Sequence, residues 1–219
     1  MMHDDPEDLS GYQAYNVLTP NVAYLRFLHA SPNAPAVDVF LNERLVARNF
    51  TYADFTHYLP ALPGRYRVRL FPAGRRRDPL IDRVLTLAPQ SIATAAVIGM
   101  PQALSLQIQP EPKLPFLPGR LYLRFAHLSP NAPAVDLTLA DGTVLFRNVT
   151  YPATTDYRVL LPGTYTLQLR LAGTDQVVLR VPNARLRPGR FYTVDAVGLV
   201  GERPPLQVLI PLDGNTYLR

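Results

Sequence analysis

Three side chains with the chemistry of a nucleophilic triad lie close together in the sequence, and the same three types recur further along the chain. His29, Ser31 and Asp38 belong to the stretch HASPNAPAVDV. The stretch HLSPNAPAVDL repeats them as His127, Ser129 and Asp136. In a serine hydrolase the acid orients the histidine, and the histidine takes the proton of the serine. The spacing therefore makes hydrolysis the first hypothesis to weigh.

The local sequence favours a scaffold over a catalytic site. Each serine precedes a proline, which biases it towards an extended conformation, and neither stretch has the glycine-rich turn that exposes a nucleophile or forms an oxyanion hole. The two prolines flank Asn33 or Asn131 in a stiff turn, whose backbone groups the nearby Asp, Ser or Asn side chains can satisfy. We therefore predict a structural motif and no enzyme. Contact of an exposed turn with a ligand or ion is the alternative.

Metal and cofactor chemistry has little support in the sequence. None of the four histidines stands at a metal-ligand spacing from another. The chain has no cysteine, which excludes disulfides and thiolate ligands. The acidic residues form no calcium-binding loop, and LADGT (Leu139 to Thr143) is typical of a hairpin turn. We predict neither a metal nor a cofactor.

The charge of the chain is unevenly distributed. The net charge is +5, but the first 21 residues hold four acidic residues and no lysine or arginine. The remainder carries 22 basic residues against 13 acidic ones, a net charge of +9. A basic body can attract nucleic acid, but the arginines are scattered and no recognised motif accompanies them. We predict no nucleic-acid partner.

A group of aromatic residues suggests a second kind of binding. Tyr52 and Tyr58 have counterparts in Tyr151 and Tyr157. An exposed set of aromatic rings on a β-sandwich can stack against sugar rings, so surface glycans are a candidate ligand. Packing of these side chains into the core is the alternative.

Residues 1–21 form an N-terminal arm that lies outside the repeated sequence. Its apolar residues have no local partners, and they are Tyr12, Tyr15, Val17 and Leu18. The segment YQAYNVL is able to add as a strand to an open sheet edge of another molecule. Repeated head-to-tail, this contact gives a homo-oligomeric ring or a filament. A loose terminus, or a strand docked on its own domain, is the alternative.

The elements that position these residues are predicted to be β-strands. The chain has 23 prolines, 12 glycines and no tryptophan, with 47% hydrophobic and 18% charged residues. Its apolar stretches alternate or contain β-branched residues, which favours strands separated by turns. No segment is long and apolar enough for a transmembrane helix, and the N-terminus lacks the features of a secretion signal. We expect an all-β protein without a membrane span.

The sequence contains two copies of one domain. YLRFLHASPNAPAVDVFL, which begins at Tyr24, matches YLRFAHLSPNAPAVDLTL, which begins at Tyr122, at fourteen of eighteen positions. In the first copy, Leu25, Phe27 and His29 alternate with Leu28 and the other residues of the strand, so the two sets point to opposite faces. Seven or eight short strands per copy predict a Greek-key β-sandwich, either immunoglobulin-like or transthyretin-like.

A proline-rich segment separates the copies. QPEPKLPFLPG, residues 109–119, contains four prolines, which stiffen the chain and oppose regular strand pairing. We divide the protein into the arm (1–21), a first sandwich (22–112) and a second sandwich (113–219). We expect the two units to fold separately and to be restrained in their mutual orientation.

These motifs resemble those of the DUF4397 family. The resemblance rests on HASPNAPAVDV, then LPGRYRV, then the closing AVIG in the first copy, and on HLSPNAPAVDL, LPGTYTL and DAVG in the second. It implies a β-sandwich module of bacterial envelope or extracellular proteins, with no established enzymatic activity. The resemblance thus favours a structural or adhesive protein at a cell surface, extracellular or on a spore, with glycan binding as the alternative.

Overall fold

The computed structural model describes residues 21–218, and this part of the chain is almost entirely β-structure. The all-β prediction is confirmed. The described residues form seventeen strands and one short 3-10 helix, η1 (Gly214–Thr216). The strands are β1 (Ala23–His29), β2 (Val37–Leu41), β3 (Arg44–Phe50), β4 (Leu59–Ala61), β5 (Gly64–Pro72), β6 (Ile81–Leu87), β7 (Ile92–Ile98), β8 (Ser105–Pro110), β9 (Leu121–His127), β10 (Val135–Leu139), β11 (Val144–Val149), β12 (Ala153–Thr154), β13 (Arg158–Leu160), β14 (Gly163–Leu171), β15 (Val177–Leu186), β16 (Phe191–Val197) and β17 (Gln207–Leu209).

Each repeat forms two sheets with equivalent strand orders. In repeat 1 the sheets are β4-β1-β7-β8 and β3-β2-β5-β6. Repeat 2 has β12-β9-β16-β17, with β13 also paired to β9, and β11-β10-β14-β15. β13 is the equivalent of β4, and β12 takes the place of the isolated bridge between Leu28 and Phe55 in repeat 1.

The strand order decides between the two architectures that the sequence left open. In an immunoglobulin sandwich the first strand lies beside the second in one sheet. Here β1 lies between β4 and β7, and it pairs with β7 in parallel, whereas β2 lies between β3 and β5 in the other sheet. The observed order excludes the immunoglobulin arrangement and agrees with the transthyretin-like alternative.

Each repeat has a hydrophobic core between its own two sheets. In repeat 1, the fully buried side chains of Leu25 and Phe27 pack with Val39 and Leu70. In repeat 2, Leu123 and Phe125 pack with Leu137 and Leu169. The alternation in the repeated YLRF stretch directs these residues inward, as predicted, because successive side chains of a strand point to opposite faces.

A third buried cluster joins the two repeats. It contains Leu28 and Ile98 from repeat 1 and Leu128 and Val197 from repeat 2. The second faces of β1, β7, β9 and β16 are therefore buried as well, which explains why β7, β9 and β16 are buried along their whole length. β7 is a nearly continuous apolar run, as expected for a strand covered on both faces, whereas β9 and β16 also carry the buried polar residues Arg124, Thr193 and Asp195.

The proline-rich segment differs in part from the expectation. Gln109 and Pro110 are paired with Thr94 and Ala93 at the end of β8, so the expectation that this segment lacks strand pairing is wrong for its first two residues. The next residue, Glu111, is 3% exposed. Strand pairing continues here because Pro110 is the last residue of an edge strand, a position where a missing N–H is tolerated.

No helix of residues 21–218 has the length and apolar character needed to cross a membrane.

Candidate functional site at the turn motif and the repeat junction

The repeated histidine and serine are held by backbone groups of their own repeat. The Nε2 atom of His29 lies 3.4 Å from the carbonyl oxygen of Pro35, and that of His127 lies 3.0 Å from the carbonyl oxygen of Pro133. The Oγ of Ser31 donates to the carbonyl oxygen of Gly99 at 2.6 Å. Ser129 makes the same bond to Gly198 at 2.6 Å. Both serine hydroxyls are thus used to fix the turn.

The acid of the motif also bonds to backbone rather than to the histidine. Asp38 accepts hydrogen bonds from the backbone N–H groups of Asn49 at 2.8 Å and Gly74 at 3.0 Å. Asp136 accepts the equivalent bonds from Asn148 and Gly173, at 2.6 and 3.2 Å. These four donors all have positive φ: Asn49 and Asn148 lie beside register shifts near the ends of β3 and β11, and Gly74 and Gly173 lie in the turns after β5 and β14. The aspartates therefore stabilise the irregular ends of β3 and β11 and the turns after β5 and β14.

The two asparagines of the motif bind the loop that follows β16. Asn131 accepts a hydrogen bond from the N–H of Val200 at 2.8 Å and donates to its carbonyl oxygen at 3.1 Å. Asn33 donates to the carbonyl oxygen of Arg203 at 2.9 Å, across the boundary between the repeats. The turn of repeat 1 is thereby attached to repeat 2.

Burial keeps the two motif histidines neutral. It lowers the pKa of His29 and His127, while the nearby proline carbonyl groups oppose this shift. The Nδ1 atoms of both histidines are buried and make no hydrogen bond within residues 21–218. A neutral imidazole that donates from Nε2 carries only a lone pair on Nδ1. This tautomer fits both sites, and within residues 21–218 neither histidine is hydrogen-bonded to the serine or the aspartate of its motif.

A buried polar cluster links the sheets of the two repeats, and we call it the junction cluster. Arg26, on β1, donates from Nε to Thr94 Oγ1 at 2.7 Å and from Nη1 to the carbonyl oxygen of Leu212 at 2.8 Å. Its Nη2 atom donates to Asp213 Oδ1 at 2.9 Å. Arg26 is 4% exposed and Asp213 is 0% exposed. A charged pair so deeply buried is maintained only when its remaining polar atoms are also bonded.

Arg124 of β9 takes the corresponding position in repeat 2. Its Nε atom donates to Thr193 Oγ1 at 2.8 Å, and its Nη1 atom donates to the carbonyl oxygen of Pro110 at 2.5 Å. Each arginine therefore bonds a threonine of its own repeat and a backbone carbonyl of the other repeat. The junction cluster has an approximate two-fold symmetry.

Each acid of the junction cluster accepts a tyrosine hydroxyl. Tyr58 donates to Glu111 Oε1 and Tyr157 donates to Asp213 Oδ2, both at 2.5 Å. The guanidinium groups of Arg26 and Arg124 lie 4.7 Å from the ring centres of Tyr58 and Tyr157. Burial raises the pKa of both tyrosines, so their hydroxyls stay protonated and act as donors.

The symmetry ends at Glu111, which is one methylene longer than Asp213. Its Oε2 atom accepts the backbone N–H of Gly214 at 2.7 Å. The Nη2 atom of Arg124 is buried without a hydrogen-bond partner in the described part of the chain. Burial, and then the charge of Asp213, raise the pKa of Glu111.

Asp195 is a third acid in this region and has no counterpart in repeat 1. Ala96 occupies the equivalent position on β7. Asp195 is 1% exposed, and its Oδ1 atom lies 3.5 Å from Gln109 Nε2, a long hydrogen bond. Burial raises its pKa to about 7. A carboxyl this deeply buried is out of reach of a substrate, so the junction cluster is suited to holding the repeats together.

The four tyrosines proposed for glycan contact fall into two separate pairs. Tyr58 and Tyr157 belong to the junction cluster. Tyr52 and Tyr151 are half-buried and pack against the apolar cluster between the repeats, and Gln207 donates to the hydroxyl of Tyr52 at 3.3 Å. The four rings therefore do not share one surface, and glycan contact at these residues stays a prediction.

The remaining predicted sites can be placed only in part. The arm residues Tyr12, Tyr15, Val17 and Leu18 lie outside the described residues. Within residues 21–218, no three His, Cys, Asp or Glu side chains are grouped so that they could hold a metal ion.

Sequence reasoning missed the junction cluster. A signal was present, because Arg26 and Arg124 stand at the same place in two mainly apolar strands, and Thr94 and Thr193 stand at the same place in two others. Charged residues are rarely buried without a partner, so an arginine repeated within a buried strand indicates an acid elsewhere in the fold.

Comparisons with known proteins identify a family and include a weak structural likeness. The profile of the family described as "Domain of unknown function (DUF4397)" matches residues 23–138, just over half of the chain. No curated protein matches the chain. Among solved structures, the crystal structure of CBMbc (family CBM26) from Eubacterium rectale Amy13K in complex with maltoheptaose is 10% identical, with 86% of this chain and 96% of that chain covered. Its TM-score of 0.26 is too low to support an argument about fold or function.

Proposed function

Because this chain belongs to the DUF4397 family, whose function is unknown, we propose that it is a non-enzymatic structural or adhesive protein of a bacterial cell or spore surface. In this proposal the two repeats act as one rigid unit. Molecules join head-to-tail through the N-terminal arm, as a ring or a filament.

One observation carries the structural role. The serine, asparagine and aspartate side chains of the repeated motif bond to backbone groups of the fold, in both copies. A catalytic or binding motif keeps polar groups available for a substrate, whereas these groups are already bonded to the chain. The junction cluster extends the same use of polar residues to the contact between the repeats.

Microscopy and mass measurement test the proposal together. Electron microscopy of the purified full-length protein is expected to show rings or filaments. Light scattering on the full chain and on a variant starting at Asn21 is expected to show a larger mass for the full chain, and the difference should decrease at high salt because the arm is acidic and the body is basic. Equal masses at every concentration would contradict self-assembly through the arm.

Recognition of envelope glycans is the second candidate. It rests on the half-buried rings of Tyr52 and Tyr151, which lie at corresponding positions beside the junction. A glycan array with the full-length protein and with Tyr52→Ala separates the two functions. Binding that is lost in Tyr52→Ala supports a carbohydrate module, and absence of binding to all envelope glycans removes that candidate.

A further inference from the structure

The two repeats differ at the side where β3 and β4 face each other. Ala47 of β3 stands where repeat 2 has Phe146, and Leu59 of β4 stands where repeat 2 has Arg158. In repeat 2 the guanidinium of Arg158 covers the ring of Phe146, 5.5 Å from its centre. In repeat 1 both side chains are shorter, and Leu59 lines a groove between the two edge strands.

The burial of neighbouring residues reflects this difference. Leu145 and Phe146 are 7% and 6% exposed, whereas their counterparts Val46 and Ala47 are only half-buried. A groove of about 460 Å³ lies at this side of repeat 1. Its apolar lining is provided by Leu41, Leu45, Val46, Leu59, Ala61 and Tyr66.

Both walls of the groove are edge strands. Within the described residues, β3 pairs only with β2, and β4 pairs only with β1. Each strand therefore has one side whose backbone groups are not part of a ladder, and such an edge accepts an additional strand. The groove combines an apolar floor with an open edge, which is the geometry that binds an extended peptide by strand addition.

We infer that this groove is the docking site of residues 12–18 of the N-terminal arm, a statement that rests on the proposed role of the arm in self-association. The segment YQAYNVL supplies apolar side chains on both faces. Seven extended residues span about 23 Å, and β3 also has seven residues. The length and the apolar character of the segment thus match the groove.

The position of the arm and its charge support the same occupant. The chain enters β1 at Ala23, which is paired with Ala61 of the groove wall, so the arm starts beside the groove. Arg44 lines the groove, and the four acids of the arm precede residue 12. Opposite charges flank the apolar contact.

Engineered disulfides test this site, since the natural chain has no cysteine. Tyr12→Cys, Tyr15→Cys and Leu18→Cys are each combined with Arg44→Cys in the full-length chain. The matched control pairs the same three arm variants with Thr143→Cys, the exposed counterpart of Arg44 in repeat 2. We expect a disulfide under mild oxidation in at least one Arg44→Cys pair and in none of the Thr143→Cys pairs.

A second variant closes the groove in the pattern of repeat 2. Ala47→Phe with Leu59→Arg is expected to reduce the Arg44→Cys disulfide to the level of the control, while the far-UV circular dichroism shows that the sandwich is retained. The inference would be overturned by any of three results. These are undiminished crosslinking in this variant, equal crosslinking to both repeats, and the absence of a disulfide in every Arg44→Cys pair.

The mass of the crosslinked species separates this inference from the proposed function. Disulfide-linked dimers or larger species support both. A disulfide found only within monomers supports the groove as the docking site of the arm but contradicts self-assembly through the arm. If oligomers form but no Arg44→Cys disulfide does, self-assembly is supported and the groove is excluded as the docking site of the arm.

Discussion

Asp195 is the residue whose environment opposes its charge most clearly. Burial is the main cause that raises the pKa of Asp195 to about 7. The charge of Asp213 also raises this pKa, and the charges of Arg26 and Arg124 lower it. The ordinary pKa of an aspartate in the unfolded chain is near 3.8. The folded protein therefore binds the Asp195 proton more tightly than the unfolded chain does. Between these two values the free energy of unfolding falls as the pH rises.

Asp195→Asn is expected to stabilise the protein at pH 8 and to have little effect at pH 4. The amide keeps the size of the side chain but cannot ionise, so the gain grows as the pH rises from about 4 to about 7 and reaches its full size, of the order of 2–4 kcal/mol, above pH 7. Thermal unfolding of both proteins between pH 4 and pH 8 measures this difference. A gain that is constant across this range would show that Asp195 does not titrate as described.

The motif histidines are expected to contribute stability that depends on pH in the opposite sense. Replacing both, as His29→Ala with His127→Ala, removes two locally bonded buried side chains and should cost about 1–3 kcal/mol each at pH 7.5. Burial lowers their pKa in the fold, so this contribution is lost as the pH falls below about 6.5. The deficit of the double variant should thus shrink at pH 5.

Thermal unfolding followed by circular dichroism at pH 5 and 7.5 measures the histidine effect. Unchanged stability together with loss of an activity would contradict the scaffold interpretation of the motif.

At the scale of elements, the segments that follow β8 and β17 cross into the junction. Glu111 lies directly after β8, and its N–H bonds to Ile92 of β7; Asp213 follows β17 and bonds to Phe191 of β16 in the same way. The acid of each segment bonds to a group of the other repeat. Asp213 pairs with Arg26, and Glu111 accepts the backbone N–H of Gly214. The outer strands therefore position the junction cluster, and the two sheets hold its arginines.

Removing the Asp213 carboxylate is expected to destabilise the whole fold. Asp213→Ala leaves Arg26 buried without its counter-ion and Tyr157 without its acceptor, and breaking such a buried pair costs about 3–5 kcal/mol. Asp82→Ala is the matched control, because its bidentate bond to Arg67 lies at the surface and should matter much less. Urea unfolding of the two variants compares them, and equal losses would contradict the role of the junction cluster.

At the scale of the whole molecule, the two repeats have separate cores and share a third. The core clusters of repeats 1 and 2 contain no residues from the other repeat. The shared cluster and the junction cluster lie on the outer faces of the β1 and β9 sheets. The molecule is thus built as two sandwiches joined face to face, which limits their relative motion more directly than the proline-rich segment does.

We expect residues 20–112 and 116–219 to fold separately and to associate when they are mixed. Each piece keeps its own core, and together they restore the buried apolar cluster. Leu28→Asp in the first piece is the control, because Leu28 is fully buried at the junction but would face solvent in the isolated piece. Analytical ultracentrifugation should show a one-to-one complex that Leu28→Asp abolishes. If neither piece folds alone, the division into two units is wrong.

The sequence by itself determined the features that depend on local pattern. Alternation along YLRF assigned Phe27 to the core of its repeat, and Ser-Pro-Asn-Ala-Pro identified a stiff turn, because strand periodicity and turn chemistry are properties of neighbouring residues. The duplication indicated two copies of one strand pattern, with seven or eight strands predicted for each copy.

Only the tertiary structure decided which distant residues meet. The bond between Arg26 and Asp213 joins residues 187 positions apart, and the parallel pairing of β1 with β7 selects one sandwich topology over another. The groove beside β3 forms where Leu45 of β3 and Leu59 of β4 come together from two different sheets, which neither strand indicates alone. Such contacts depend on how complete sheets pack, and local periodicity does not specify that packing.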